Sequence, residues 1–451
     1  MRHVFVGLVL LATAFAASAR AEGPLKAGVF VVDASPPVGS PLAYDPTKGV
    51  EHPLSCRGVV LIGDGRPVVL CAVDWIGIGN DGQTEFRAAL AEAAGTSTDR
   101  VAVHTLHQHD APECDFSVDR LLAPFGIDRE VHDVDFERRV IKRAAAALRE
   151  AAKTARRVTH VGEGQAIVDK VASNRRILGS DGKVEHVRWS ACVDPKVRAK
   201  PVGTIDPMLK LITLWDGETA VAALTYYATH PQSYYRTGLA NPDFPGLARD
   251  QRQESTGVPH IHFDGAGGNV TAGKWNDGAH ANRQILADRL ADGMERAWKS
   301  TRKLPVTARD LGWTSLAVAL PVATHLDEAK LLKTLADKSA KTTARAKAAN
   351  DLAWLRRCRS GGTIDLGCLR LANARVLHLP GELFIEYQLA AQALRPDLFV
   401  AVAAYGDYAP GYIGTAAAYP QGGYETQPTS SLVAPGVELV LNQAIARLLR
   451  D

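Results

Sequence analysis

The sequence predicts an α/β fold, with mixed β-sheets packed between helices in one large domain. Three observations carry that prediction. Apolar, strand-like runs alternate with helical periodicities along the whole chain. Two pairs of strand-like runs are joined by Gly/Asp turns, which adds antiparallel hairpins to the alternation. No internal repeat, low-complexity tract or linker interrupts the 451 residues.

Taken in order, residues 27–33 read as a strand that runs into a Pro- and Gly-rich loop over 34–49. Residues 57–62 and 67–75 form a hairpin around Gly63-Asp64-Gly65. Residues 82–94 are helical, 100–105 a buried-type strand, and 133–157 a helix rich in Ala and Arg. A second hairpin, 209–215 with 219–227, turns at Asp216-Gly217. An amphipathic helix is expected over 276–301, and a lysine-rich, solvent-facing helical excursion over 326–357. The chain closes with a strand at 374–379, a helix at 382–394 after Pro380-Gly381, a strand at 397–405 and a helix at 436–449.

The N-terminus sets the compartment. A short basic start, the apolar run Val4 to Ala17 and the small residues up to Ala21 form a secretory signal, expected to be cleaved near Ala21. That leaves residues 22–451 as one exported domain, periplasmic or extracellular. The apolar run is short for a span, and no other stretch approaches the length needed to cross a bilayer. Charge is balanced, with 52 basic and 49 acidic residues, and no basic block points to nucleic acid. Of six cysteines, Cys358 and Cys368 bracket a short loop and are the expected disulfide pair.

Four segments carry candidate chemistry. The first is His104-Thr105-Leu106-His107-Gln108-His109-Asp110, at the end of an apolar strand. Residues two apart in extended chain share a face, so His107 and His109 project together, one toward a metal and one toward substrate. The second is Thr229-His230-Pro231, again a histidine where an apolar strand runs out; downstream, Asp243 reads as a turn former. The third is the glycine-rich stretch Asp264 to Lys274, which fits neither a P-loop nor a dinucleotide fingerprint and could offer backbone N–H groups to a ligand. Its Asn269-Val270-Thr271 sequon is discounted in so Gly-dense a loop. The fourth is Leu379-Pro380-Gly381-Glu382, where a glutamate at a helix start ordinarily complements the helix dipole. A tyrosine-rich segment, Tyr405 to Tyr424, follows it.

In order and together, these segments resemble the neutral/alkaline non-lysosomal ceramidases. Leu106 to Pro112 resembles the family's Thr-His-Thr-His-Ser-Gly-Pro motif, and Asn174-Arg175, His230-Pro231 and Pro380-Gly381-Glu382 resemble its later ones. Tyr412 and Tyr424-Glu425 match two family tyrosines twelve residues apart. The resemblance implies one zinc ion per chain held by His107, His230, Glu382 and Tyr412. It also implies catalytic or substrate-contacting roles for His109, Arg175, Thr271 and Tyr424. Two departures stand out. The family loop Gly-Asp-Val-Ser-Pro is here Gly268-Asn269-Val270-Thr271-Ala272, with threonine at the family's essential serine. The family's C-terminal immunoglobulin-like domain has no counterpart, so the chain resembles the catalytic part alone.

The expectation is a zinc-dependent hydrolase cleaving an N-acyl amide by a zinc-activated water, with peripheral membrane contact possible and a small-molecule or lipid substrate. One alternative is a zinc deacylase or esterase acting on a different lipid, a glycan or a peptide-like amide. Another is a non-catalytic binding protein on the same scaffold. The absence of G-x-S-x-G and of H-E-x-x-H argues against serine hydrolases and zincins.

Overall fold

A computed structural model describes residues 23–450. The signal segment expected over 1–21 lies outside the described residues. The fold is α/β, built on three larger mixed sheets. In the first, the strand order is Val101–Thr105, Val68–Val73, Ser55–Ile62, Leu25–Asp33 and Arg156–Val158. In the second it is His260–Asp264, Thr219–Tyr227, Met208–Asp216, His160–Ile167 and Arg302–Pro305. In the third it is Leu311–Val318, Ile364–Leu371, Ala374–His378 and Phe399–Ala403. Both expected hairpins are present as antiparallel pairs.

Each sheet contains one parallel step among antiparallel ones. These steps pair Val68–Val73 with Val101–Thr105, Thr219–Tyr227 with His260–Asp264, and Ala374–His378 with Phe399–Ala403. Val68–Val73, Val101–Thr105 and Ala374–His378 are buried along their whole length because both faces are covered. A single apolar cluster joins the three sheets, with Leu70 and Ala102 from the first, Leu224 and Phe263 from the second, and Val376 and Ala401 from the third. Helices cover the outer faces. Asn80–Ala94 and Val134–Lys153 bury Phe86, Leu90, Val140 and Ile141 against the first sheet, and Ala281–Lys299 buries Leu286, Leu290 and Met294 against the second. Val437–Leu448 packs Leu441, Ile445 and Leu448 onto the third.

Several elements differ from the sequence reading. The 326–357 excursion is two helices, Glu328–Ala336 and Thr342–Arg359. The second is not a solvent-facing rod: it buries Ala349, Leu352, Trp354 and Leu355 against the body of the protein. Lys347 and four arginines mask an apolar face that the composition hid. Residues 382–394 are not one helix, since Glu382–Leu383 is a short strand and the helix begins at Ile385. Asp243 is not merely a turn former; it opens a helix, Asp243–Thr256, that the turn-like Asn241 to Gly246 concealed.

The expected Cys358–Cys368 disulfide is absent, and all six cysteines are free thiols. Cys358 sits near the end of the Thr342–Arg359 helix, whereas Cys368 lies well inside Ile364–Leu371. At about 3.3 Å per residue, the strand carries Cys368 roughly 13 Å past Ile364. Closeness in sequence does not bring the two sulfurs together.

Candidate metal centre

The C-terminal ends of the parallel strands all deliver residues to one place, as expected for α/β sheets. Val101–Thr105 leads to His107, Thr219–Tyr227 to His230, and Ala374–His378 to Glu382. Phe399–Ala403 leads to Tyr405 and Tyr408.

His107 is buried and takes a left-handed backbone, φ 58°. For a non-glycine residue that conformation costs on the order of 1–3 kcal/mol and survives only where the surroundings enforce it. Here the His107 N–H donates to the Trp75 carbonyl, and Nδ1 lies 2.6 Å from the Ile76 carbonyl. That contact places the ring proton on Nδ1 and frees Nε2 as a ligand atom. The extended-chain argument for His107 and His109 therefore does not hold as drawn, because the backbone turns at His107. The two rings still meet, with centroids 5.1 Å apart.

His230 is anchored by its N–H to the Val270 carbonyl at 2.8 Å. Glu382 follows a turn at Gly381 (φ 57°), where an added Cβ would strike the Gly411 carbonyl at 2.6 Å. The short strand Glu382–Leu383 pairs in parallel with Tyr412–Ile413, so Glu382 stands opposite Tyr412 in register. Glu382 does not stand at a helix start, where it would only complement the dipole; the strand pairing gives it its position.

Three buried atoms without hydrogen-bond partners converge: His107 Nε2, His230 Nδ1 and Glu382 Oε2. The carboxylate oxygen lies 3.3 Å from His107 Nε2 and 3.8 Å from His230 Nδ1. Two ligands about 2.1 Å from a tetrahedral zinc ion stand about 3.4 Å apart, so the set fits a divalent metal. His109 joins them: ring nitrogens of His107, His109 and His230 all lie within 4.8 Å of one another, a grouping able to hold a metal ion. Tyr412 stacks parallel to the His230 ring, centroids 6.5 Å apart.

The surrounding electrostatics favour neutral imidazoles. Burial, then His107 and Arg175, holds His109 well below its usual range; burial, then His107, His109 and Arg175, does the same to His230. Burial pushes the Tyr412 phenol up, opposed by the Arg175 guanidinium beside it. Arg175 is itself buried, its Nε 2.6 Å from Glu425 and its charge over the Tyr412 and Tyr424 rings. Burial would raise Glu425, but Arg175 and Arg176 hold it below the usual carboxylate range. Tyr424 lines the cavity in front of the cluster, a space of about 260 Å³.

Thr271 stands apart. Its hydroxyl is buried, donates to the Arg188 carbonyl at 3.1 Å, and does not line the cavity. The glycine-rich stretch also differs from the expected ligand loop. The Gly265, Ala266 and Gly268 N–H groups are spent on Tyr227, Gln388 and Leu383. Gly268 is required because a Cβ there would meet the Glu382 carbonyl at 2.3 Å. The loop is a platform for the Glu382 strand.

Sequence reasoning missed several supports. Tyr408 donates to Glu382 Oε1 at 3.0 Å, and Tyr405 stacks on His107 at 4.7 Å. Gln232 Nε2 and the Tyr44 hydroxyl lie 3.2 and 3.1 Å from His109 Nδ1. The tyrosine-rich 405–424 segment was the one available signal for Tyr405 and Tyr408; nothing local marks Gln232 or Tyr44.

No family model matches the chain, and no curated protein matches it in sequence. Solved structures do. The crystal structure of neutral ceramidase from Pseudomonas aeruginosa aligns with a TM-score of 0.68 at 14% identity, covering 95% of this chain and 74% of that one. A structure described as ceramidase complexed with C2 aligns with the same score and identity, covering 95% and 75%. The chain shares the fold of these two ceramidases over nearly its full length.

Proposed function

We propose that this protein is an exported zinc-dependent amidohydrolase, with residues 22–451 as its one catalytic domain and His107, His230, Glu382 and Tyr412 holding one zinc ion. The observation that carries the reading is the convergence of three buried, unpartnered ligand atoms at 3.3 and 3.8 Å. Buried polar atoms are nearly always satisfied, so three orphans facing one point argue for a cation. The likeness in fold to ceramidases favours an N-acyl bond as the target. A metal bound here supplies Lewis acidity and a more acidic water.

The chain's own residues do the rest. Ile76 and Tyr408 fix the presentation of His107 and Glu382. Gln232 Nε2 and the Tyr44 hydroxyl lie against His109 Nδ1 and hold the ring, with its Nε2 3.0 Å from the His230 ring nitrogen and facing the cluster. His109, neutral at rest, would take a proton from the attacking water and pass it to the departing amine nitrogen, a shuttle suited to an imidazole. Tyr424 lines the cleft and, with the buried Arg175 charge over its ring, would steady the negative charge that develops on the carbonyl oxygen. Among the described residues no helix is long and apolar enough to cross a membrane, which accords with export into an aqueous compartment.

Elemental analysis of the purified protein should give about one zinc per chain, and His107→Ala should remove both the metal and amide hydrolysis. Zinc-free protein with full activity would sink the mechanism.

A further inference from the structure

The cavity before the histidines carries information about the substrate. At about 260 Å³ it is smaller than most ligand pockets, which run to roughly 300–1,000 Å³. Tyr408, Tyr412 and Tyr424 line it around the ligand cluster, and Glu113, Lys347, Asn350 and Asp351 make a polar wall. Glu113 lies in a two-residue strand paired with Gly77–Ile78, next to the Ile76 carbonyl that holds His107. Its carboxyl takes a hydrogen bond from the Asn350 side chain. Aliphatic lining is confined to Ala43, Ile76, Ala409 and Leu432.

The far wall is fixed in place. It belongs to the Thr342–Arg359 helix, whose Trp354 Nε1 donates to the Leu432 carbonyl at 3.0 Å and whose Arg357 Nη1 bonds Asp407 at 2.6 Å. Leu352 and Ala349 of the same helix pack against Val118 and Leu122. Widening the cavity would break all of these contacts together. At the mouth, Tyr44 and Tyr235 stand 4.9 Å apart with Arg236 over Tyr44, both rings partly exposed beside His109. Glu113 holds Asn350 and Asp351 holds Lys347, so an alkyl chain laid on this wall would strip water from polar and charged groups and offer them nothing, an unfavourable exchange. Hydroxyl groups would instead add hydrogen bonds to the acceptor sites these carboxyls still have free.

Resting on the hydrolase reading above, we propose that the substrate is a compact N-acyl amide with a short acyl group and a hydroxylated amine half received by Glu113 and Asn350, not a long-chain lipid amide. The C–N bond breaks, water gives its hydroxyl to the acyl carbon and a proton to the amine nitrogen, and a short carboxylate and a free amine leave. An N-acetylated amino sugar and a short N-acyl amino alcohol share this chemistry.

The test is amine release by the zinc-loaded protein from N-acetylglucosamine, a short N-acetyl aminodiol and a long-chain ceramide in detergent micelles. One of the two compact amides should show kcat/KM at least about tenfold above the ceramide, and the better one identifies the source. Glu113→Gln should raise KM for that substrate about tenfold with a smaller change in kcat, as loss of substrate binding requires, and Asn350→Ala should move KM the same way. Long-chain ceramide cleaved fastest, with His107→Ala inactive, would overturn this inference and leave the hydrolase reading standing. An unchanged KM in both well-folded variants would also overturn it. Hydrolysis by His107→Ala at the wild-type rate, or no cleavage of any amide, would remove the hydrolase reading and this inference with it.

Discussion

Two polar clusters in this protein have fully buried centres and are opposite in design. In one, Arg249 and Asp74 are fully buried and paired at 2.6 and 3.0 Å, Ser55 adds N–H and hydroxyl donors to Asp74, and Arg57 and Asp250 complete the network. In the other, His107, His230 and Glu382 point unspent atoms at one another. Burial alone therefore does not distinguish a structural cluster from a functional one. Satisfaction does: a saturated network stabilises one arrangement, whereas orphaned atoms at ligand spacing need something else to complete them.

The largest effect expected is on the second cluster. His230→Ala should lower kcat/KM by more than about 10³-fold, roughly 4 kcal/mol, while the metal-free protein keeps or gains thermal stability because fewer buried orphans remain. Steady-state kinetics and a melting curve read the two halves, and a collapsed melting temperature would place His230 in the structural class. The mirror experiment is Arg249→Ala, which strands Asp74 in the interior and should cost about 3–5 kcal/mol by denaturant titration. A cost below about 1 kcal/mol would show that the first cluster is not a structural anchor.

Buried histidines outside both clusters sharpen the contrast through pH. Burial lowers His104, bonded to the Ala404 carbonyl and to His378, to about 4, and likewise lowers His132 to about 4. Their folded-state values lie below the unfolded value of about 6.5, so the unfolded chain binds more protons between those limits. Stability is then full above about pH 6.5 and is lost as pH falls toward 4, by up to about 3 kcal/mol per histidine. Stability that is flat from pH 7 to 4 would refute this, and His104→Gln should make the slope shallower.

Smaller effects test the supports. Tyr408→Phe removes the donor to Glu382 Oε1 and should weaken metal binding about 10–100-fold in a chelator competition. Thr271→Val removes a bond to the Arg188 carbonyl and should cost about 1 kcal/mol of stability with activity largely kept. A large activity loss in a stable Thr271→Val protein would restore the catalytic role implied by the resemblance.

Much of the scaffold was legible because periodicity is local. The two hairpins, the strand before His107 and the terminal helix follow from runs of side chains that pack the same way wherever they sit. Other elements were hidden: the strand Ile364–Leu371 and the helix Asp243–Thr256 lie in stretches whose local signals are mixed, and Lys347 with four arginines disguised the Thr342–Arg359 helix as solvent-facing. His107 and His230 stood out as histidines at strand ends. The disulfide expectation failed because spacing along the chain says nothing about direction in space.

The sequence by itself determined an α/β chain and two histidines poised where apolar strands stop, since both depend on neighbours a few residues away. Only the tertiary structure decided that Glu382 faces Tyr412 across a two-residue parallel pair, that Tyr408 bonds Glu382, that the Thr271 hydroxyl is spent on backbone, and that a buried helix walls a small polar cavity. Those facts are contacts between segments tens to hundreds of residues apart. They arise from how three sheets meet, and no local pattern encodes that meeting.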